Sequence, residues 1–189
     1  EIMSSDWSSD VCSSDLFKQA AESCKTGDDY AQLAKGAMEA LGDAAMAGSF
    51  IAKGQENLES GKDLNALAAA AAKDLKDEEA ARNIYRKASE KMEKGEELMT
   101  LAKSVLEILQ DKALALEIYQ RAGTLFTGFD QLVKLAKAIV EDTGDKAAAG
   151  KVYEKTMAAG PNSKQLVEVA KSLAGDIGDK EAALKVLKQ

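Results

Sequence analysis

Apolar side chains recur along this chain at two periods, one of three to four residues and one of 34. The short period is plain in residues 96–110, where Leu98, Leu101, Ala102, Val105, Leu106 and Leu109 share one face of an amphipathic helix. Asp111 follows, and then a second helical pattern in which Ala115, Ile118, Tyr119 and Ala122 share a face. The long period repeats this couplet. Leu33, Leu67, Leu101, Leu135 and Val169 are each followed by an alanine, and the step between them is 34 residues. Self-similarity at that period predicts an all-α fold, an α-solenoid of stacked antiparallel helix pairs rather than a globule around one core. About five repeats are expected, near residues 28–61, 62–95, 96–129, 130–163 and 164–189.

Within each repeat the polar punctuation is as regular as the apolar face. Asp43, Asp77, Asp111, Asp145 and Asp179 stand at one register position between the two helical patterns. An aspartate there predicts an N-cap, its carboxylate accepting backbone N–H bonds of the second helix, and replacing such a cap by alanine costs about 1 kcal/mol. Gly42, Gly144 and Gly178 precede three of the five aspartates, as the end of a first helix favours. Ala34 and its copies, and Ala47, Ala81, Ala115, Ala149 and Ala183, are expected where two helices approach closely. Larger residues there would overpack the pair, at roughly 1–3 kcal/mol each. Tyr85, Tyr119 and Tyr153 recur at one position, with Ile51 and Leu187 in the same place, and read as core between repeats rather than as a ligand platform.

These residues resemble the tetratricopeptide repeat. The first helix of that family carries a bulky residue, then a large-small pair, then another large residue, matched by Leu98, Leu101-Ala102 and Val105. Its second helix carries alanine, an aromatic and a further alanine, matched by Ala81, Tyr85 and Ala88 and again by Ala115, Tyr119 and Ala122. The family's proline is matched by Pro161 alone, and the small first-helix residue is alanine rather than glycine. The turn inside each pair is longer by one residue and the turn between pairs shorter by one than in the family. The resemblance covers residues 17–189 and implies a non-catalytic scaffold whose first helices line a partner groove.

The two ends read differently from the middle. Residues 6–16, Asp-Trp-Ser-Ser-Asp-Val-Cys-Ser-Ser-Asp-Leu, resemble the translation of a common short-read sequencing adaptor. The repeat register reaches Phe17 and Ala20, which align with Tyr85 and Ala88, and fails upstream, where Ser13 stands in place of the recurring alanine. Residues 1–16 are therefore expected to be a non-native leader, and the array to begin at residue 17. At the other end the helical pattern is expected to be cut at Gln189, with no polar capping helix, so compartment is left open.

Composition narrows the function further. The formal charge is −7 over 189 residues, a poor basis for binding a phosphate backbone, so no nucleic-acid partner is expected. There is no histidine, which removes the commonest general base and metal ligand. The two cysteines, Cys12 and Cys24, form no metal or disulfide pattern. No metal, cofactor or catalytic residue is expected, and the chain reads as a non-enzyme. The best apolar run, residues 67–72, is far short of the roughly 18–20 residues of a membrane span, so no membrane insertion is expected.

Two segments imitate ligand loops. Residues 54–63 carry glycines and a lysine like a phosphate loop, but the glycine spacing is too long and Asp63 stands where a hydroxyl would bind magnesium. Residues 141–154 have the acids of a calcium loop, but Gly144 and Lys146 interrupt its alternation. Both read as junctions between helices, and the charged residues 87–97 as an exposed helix end.

The groove positions implied by the resemblance are Lys35, Lys103, Lys137 and Lys171, with Glu39, Glu107 and Glu141 one helical turn after the first three. Met99, Val133 and Val167 lie between them. Such a mixed stripe suits an amphipathic helix or an extended peptide of a protein partner. The competing account is a solvated face with i,i+4 ion pairs worth a few tenths of a kcal/mol. Ala69 breaks the lysine series, and Asn65 stands alone where the family's carboxylate clamp needs several asparagines and more basic residues. The second functional expectation is a subunit built permanently into a large multiprotein assembly, which would bury more than about 2,000 Å² against its neighbours.

Overall fold

The structure, a computed structural model, describes residues 7–188. Among the described residues the chain forms eleven α-helices and no β-strand. Helix α1 spans Trp7–Ala21 and α2 Gly27–Gly36, the latter continued by a π-helical segment over Ala37–Leu41. Helices α3 (Ala44–Asn57), α4 (Gly61–Lys73) and α5 (Glu78–Lys91) follow, and then α6 (Gly95–Leu109) and α7 (Lys112–Leu125). The remaining helices are α8 (Phe129–Thr143), α9 (Lys146–Ala158), α10 (Ser163–Ser172) and α11 (Lys180–Leu187), with a second π-helical segment over Leu173–Ile177 extending α10. Helices pack as consecutive pairs, α2 with α3, α4 with α5, α6 with α7, α8 with α9 and α10 with α11. The chain divides into two compact units after Met92.

Of the expected leader, residues 1–6 lie outside the described residues, whereas the helical backbone of α1 starts at Trp7 and runs through the expected boundary at residue 17. Phe17 of α1 stacks on Phe50 of α3 with ring centroids 6.4 Å apart. It also covers Gly36, where an added Cβ would come within 2.9 Å of the Phe17 ring.

The corner between the two helices of a pair is built the same way five times. Asp43, Asp77, Asp111, Asp145 and Asp179 are the N-caps of α3, α5, α7, α9 and α11. Their carboxylates accept the backbone N–H of Met46 (2.8 Å), Ala80 (2.9 Å), Leu114 (3.0 Å), Ala148 (2.8 Å) and Ala182 (2.8 Å). Each accepts a donor that a helix start leaves orphaned. The residue before every cap is left-handed: Gly42 (φ 64°), Lys76 (φ 60°), Gln110 (φ 53°), Gly144 (φ 78°) and Gly178 (φ 84°). Three of these are glycines, as the corner favours, and two are ordinary residues held where a side chain is disfavoured.

Small residues sit inside each pair. Ala34, Ala68, Ala102 and Ala136 of the first helices are fully buried, as are Ala47, Ala81, Ala115 and Ala149 of the second. In the first unit they pack among Tyr30, Phe50, Leu64, Leu67, Ile84 and Tyr85, all buried. In the second unit the core is built by Leu98, Leu101, Val105, Ile118, Tyr119, Leu132, Leu135, Ile139 and Tyr153. Each such large side chain removed from water contributes roughly 1.5–3 kcal/mol before the entropic cost of ordering it. Leu33 departs from its copies and is only half-buried. Leu187 departs further: expected at the tyrosine position of the core, it is 54% exposed, because no described helix packs over that face of α11.

A second recurrent contact lies at the open ends of the pairs. Leu58, Met92 and Phe126 end α3, α5 and α7 in extended backbone and are buried. Met92 and Phe126 fold over the glycine that opens the first helix of their own pair. A Cβ on Gly61 would lie 2.6 Å from Met92 Cγ, and one on Gly95 would collide with the Phe126 ring. Gly27 plays a related part against the next first helix. Its N–H donates to Asp63 Oδ1 at 3.2 Å, and a Cβ there would strike the Asp63 carbonyl oxygen. Between second helices of one unit, lysines reach back to helix ends. Lys87 Nζ of α5 donates to the Gln55 carbonyl of α3, and Lys155 Nζ of α9 donates to the Gly123 carbonyl of α7 at 2.5 Å. Both place a cation where carbonyls near the end of the preceding second helix gather negative charge.

Candidate functional site

The second unit carries a hollow of about 520 Å³ along the first helices, and five of the expected groove residues line it. Met99 and Lys103 come from α6, and Val133, Lys137 and Glu141 from α8. Met99, Val133 and Ala138 are buried and form an apolar floor. The rim is charged in both senses, with Lys103, Lys134 and Lys137 set among Asp130, Glu141 and Glu168.

The helical register explains who meets whom. Met99, Lys103 and the adjacent α8 residues Val133, Lys137 and Glu141 lie three or four residues apart on their helices, so each series shares one face. The alanines Ala102 and Ala136 on the neighbouring face keep the paired second helices close behind. The floor is therefore held by packing, and the charged side chains stand around it.

The ion pairs differ from the i,i+4 expectation. Lys35 does face Glu39, at 3.9 Å. Lys137, however, reaches across to Glu168 of α10 at 3.1 Å instead of pairing along its own helix with Glu141. Lys134 likewise crosses to Glu96 of α6 at 2.9 Å. Packing first helices of the second unit against each other brings carboxylates nearer than the next turn does. The bond to Glu168 holds the Lys137 ammonium above its usual range. Lys103, Asp130 and Glu141 make no ion pair among the described residues and are the open charges of the rim.

The remaining expected groove residues are elsewhere. Lys35 and Glu39 belong to the first unit, and Glu107 is exposed without lining the hollow. Val167 and Lys171 of α10 line a separate, apolar hollow of about 480 Å³ with Ala183, Leu184 and Leu187 of α11. Sequence reasoning had not picked out Lys134, Asp130 or Glu168 for the rim, although Lys134 lies one residue after Val133 and Glu168 one residue after Val167.

The tyrosine stripe is buried. Tyr119 donates its hydroxyl to Asp142 of α8, and burial followed by that carboxylate raises its pKa far above the usual phenol range. Burial alone pushes Tyr85 from 10.0 to about 12, and its hydroxyl has no hydrogen-bond partner among the described residues. Burial also raises Tyr153. All three side chains are at most 1% exposed. The two loop imitations are parts of helix junctions: Gly54 lies inside α3 and Gly61 opens α4, while Asp142 receives the Tyr119 bond and Asp145 caps α9. Among the described residues no cluster of carboxylates and thiols is arranged to hold a metal ion, and no helix is long and apolar enough to cross a membrane.

The fold and the hollow together define an all-α protein of consecutively packed helix pairs with a mixed apolar and charged surface depression. No protein-family model matches the chain, and no curated protein matches it.

Proposed function

We propose that the chain is a tetratricopeptide-like α-solenoid that acts as a non-catalytic protein-interaction scaffold, holding a peptide or an amphipathic helix of a protein partner along its first helices. The observation that carries this reading is the hollow of about 520 Å³ with a buried floor of Met99 and Val133 and a rim of alternating charge. An amphipathic segment would bury its apolar side chains on that floor and match its charges to Lys103 and Glu141. The five corners that share a left-handed residue and an aspartate cap, together with the 34-residue step, support the repeat assignment.

The test is a selection of amphipathic peptides on the full chain, followed by binding to a Lys103→Glu, Glu141→Lys variant. Both residues are on the exposed rim, so the fold should be kept, as circular dichroism would report. Selected peptides should lose affinity for the variant by about tenfold or more. Equal binding to both proteins would place the contact surface somewhere else.

The second reading is a subunit held permanently in a large assembly. It is favoured by the apolar group Val167, Leu184 and Leu187 on α10 and α11, which are 43%, 59% and 54% exposed. A permanent neighbour would cover these residues. Sedimentation of the protein from its native source as a large complex resistant to salt would favour this reading, and a free chain would oppose it.

A further inference from the structure

The second unit has another hollow, on its second-helix side, of about 600 Å³ between α9 and α11. Gly150 of α9 lies on its lining, at the register position held by Gly48 in α3, Arg82 in α5, Leu116 in α7 and Leu184 in α11. With no side chain there, the nearest atom to an added Cβ is Ile177 Cδ1 at 3.9 Å, so the space is open. Tyr153, Leu173, Ile177 and Val186 supply apolar walls, and Tyr153 and Leu173 are themselves buried and fixed. Three lysines, Lys146, Lys151 and Lys185, stand around the opening, and none forms an ion pair among the described residues. The acids beside them are Glu154 and Asp179, and the Asp179 carboxylate is already engaged in capping α11. A chain of net charge −7 thus gathers unpaired cations around an apolar cavity of ligand size.

We propose that this cavity binds an anionic amphiphile, an unbranched aliphatic carboxylate whose chain fills the space left by Gly150 and whose carboxylate meets Lys146, Lys151 and Lys185. The hydrocarbon gains by leaving water against the apolar walls. The carboxylate stays at the wet opening, where lysine heads reach it without being desolvated. The site is separate from the first-helix hollow and stands whether or not that hollow binds a peptide.

The test uses a dansyl-labelled undecanoate as the probe on the full chain. Saturable binding at one probe per chain is expected, with displacement by dodecanoate, little displacement by dodecyltrimethylammonium, and weaker binding at high salt. Gly150→Leu places in the cavity the side chain that Leu116 and Leu184 carry at this register and should abolish probe binding while circular dichroism stays helical. A Lys146→Ala, Lys151→Ala, Lys185→Ala variant, altered only at exposed positions, should weaken binding by about tenfold. The proposal is overturned if the probe does not bind the wild type, if Gly150→Leu folds and binds unchanged, or if the cationic amphiphile displaces the probe as well as dodecanoate does.

Discussion

The Tyr119 hydroxyl donates to the Asp142 carboxylate, so the second helix α7 of one pair is tied to the first helix α8 of the next. Tyr85 occupies the same register position in α5, and its buried hydroxyl has no partner among the described residues. The same substitution should therefore have different results at the two sites. Tyr119→Phe is expected to cost about 1.5–3 kcal/mol, the range for a hydrogen bond to a charged group. Tyr85→Phe removes a hydroxyl that satisfies nothing and should leave urea stability unchanged or slightly higher. Equal losses in the two denaturation curves would contradict this.

Alkaline stability follows from the same phenols. The Tyr85 hydroxyl is raised from 10.0 to about 12 by burial, so between those values the folded chain holds a proton that the unfolded chain has lost. Stability from this group is complete below pH 10.0 and falls as pH rises toward about 12. Phenolate absorbance and loss of helical circular dichroism should appear together in that window. Tyr85→Phe should flatten part of the fall, leaving the share due to Tyr119 and Tyr153, whose pKa values are also raised.

Lys76 and Gln110 hold the left-handed corner position at φ 60° and 53° that glycine fills in the other three pairs. Lys76→Gly and Gln110→Gly should each raise stability by about 1 kcal/mol, since the strain relieved exceeds the extra freedom glycine brings to the unfolded chain. Gly144→Ala should do the reverse by a similar amount. Thermal unfolding of the single variants checks the sign.

Two helical glycines should answer an alanine scan in opposite ways. At Gly27 a Cβ strikes the Asp63 carbonyl oxygen, so Gly27→Ala must push α2 away from α4 and is expected to cost about 1–3 kcal/mol. At Gly150 a Cβ meets only Ile177 Cδ1 at 3.9 Å, and Gly150→Ala should stabilise by roughly 0.5–1 kcal/mol through helix propensity.

The five aspartate caps invite an additive test. Asp77→Ala and Asp145→Ala each remove one carboxylate acceptor, at 2.9 Å from Ala80 N and 2.8 Å from Ala148 N, and each should cost about 1 kcal/mol. Lying in different units, they should add when combined.

What was legible in the sequence was what repeats with its residue type intact. The aspartates read as caps because aspartate stands at all five positions, and the alanines read as close-packed because large residues never replace them. The left-handed corner was legible at Gly42, Gly144 and Gly178 but hidden at Lys76 and Gln110, whose side chains say nothing about φ. Leu58, Met92 and Phe126 recur at the same step but were not legible because they differ in type, although Gly61 and Gly95, on which Met92 and Phe126 fold, recur unchanged. Of the expected groove residues, the five that line the first-helix hollow were legible as helix faces, and the other five lie elsewhere. The Lys137–Glu168 and Lys134–Glu96 pairs were not, because they join helices far apart in sequence, and periodicity within one helix carries no information on that distance. The cavity beside Gly150 needed the structure for the same reason.

The shared corner has a consequence for how such a chain can change length. Each second helix brings its own stop, turn and start, with the left-handed residue and the aspartate encoded next to each other. A duplicated or deleted stretch of 34 residues would therefore carry a complete joint with it, and the register of the pairs on either side would be kept. Length in this chain is a quantity that copying errors can adjust in whole steps, without any turn having to be invented anew.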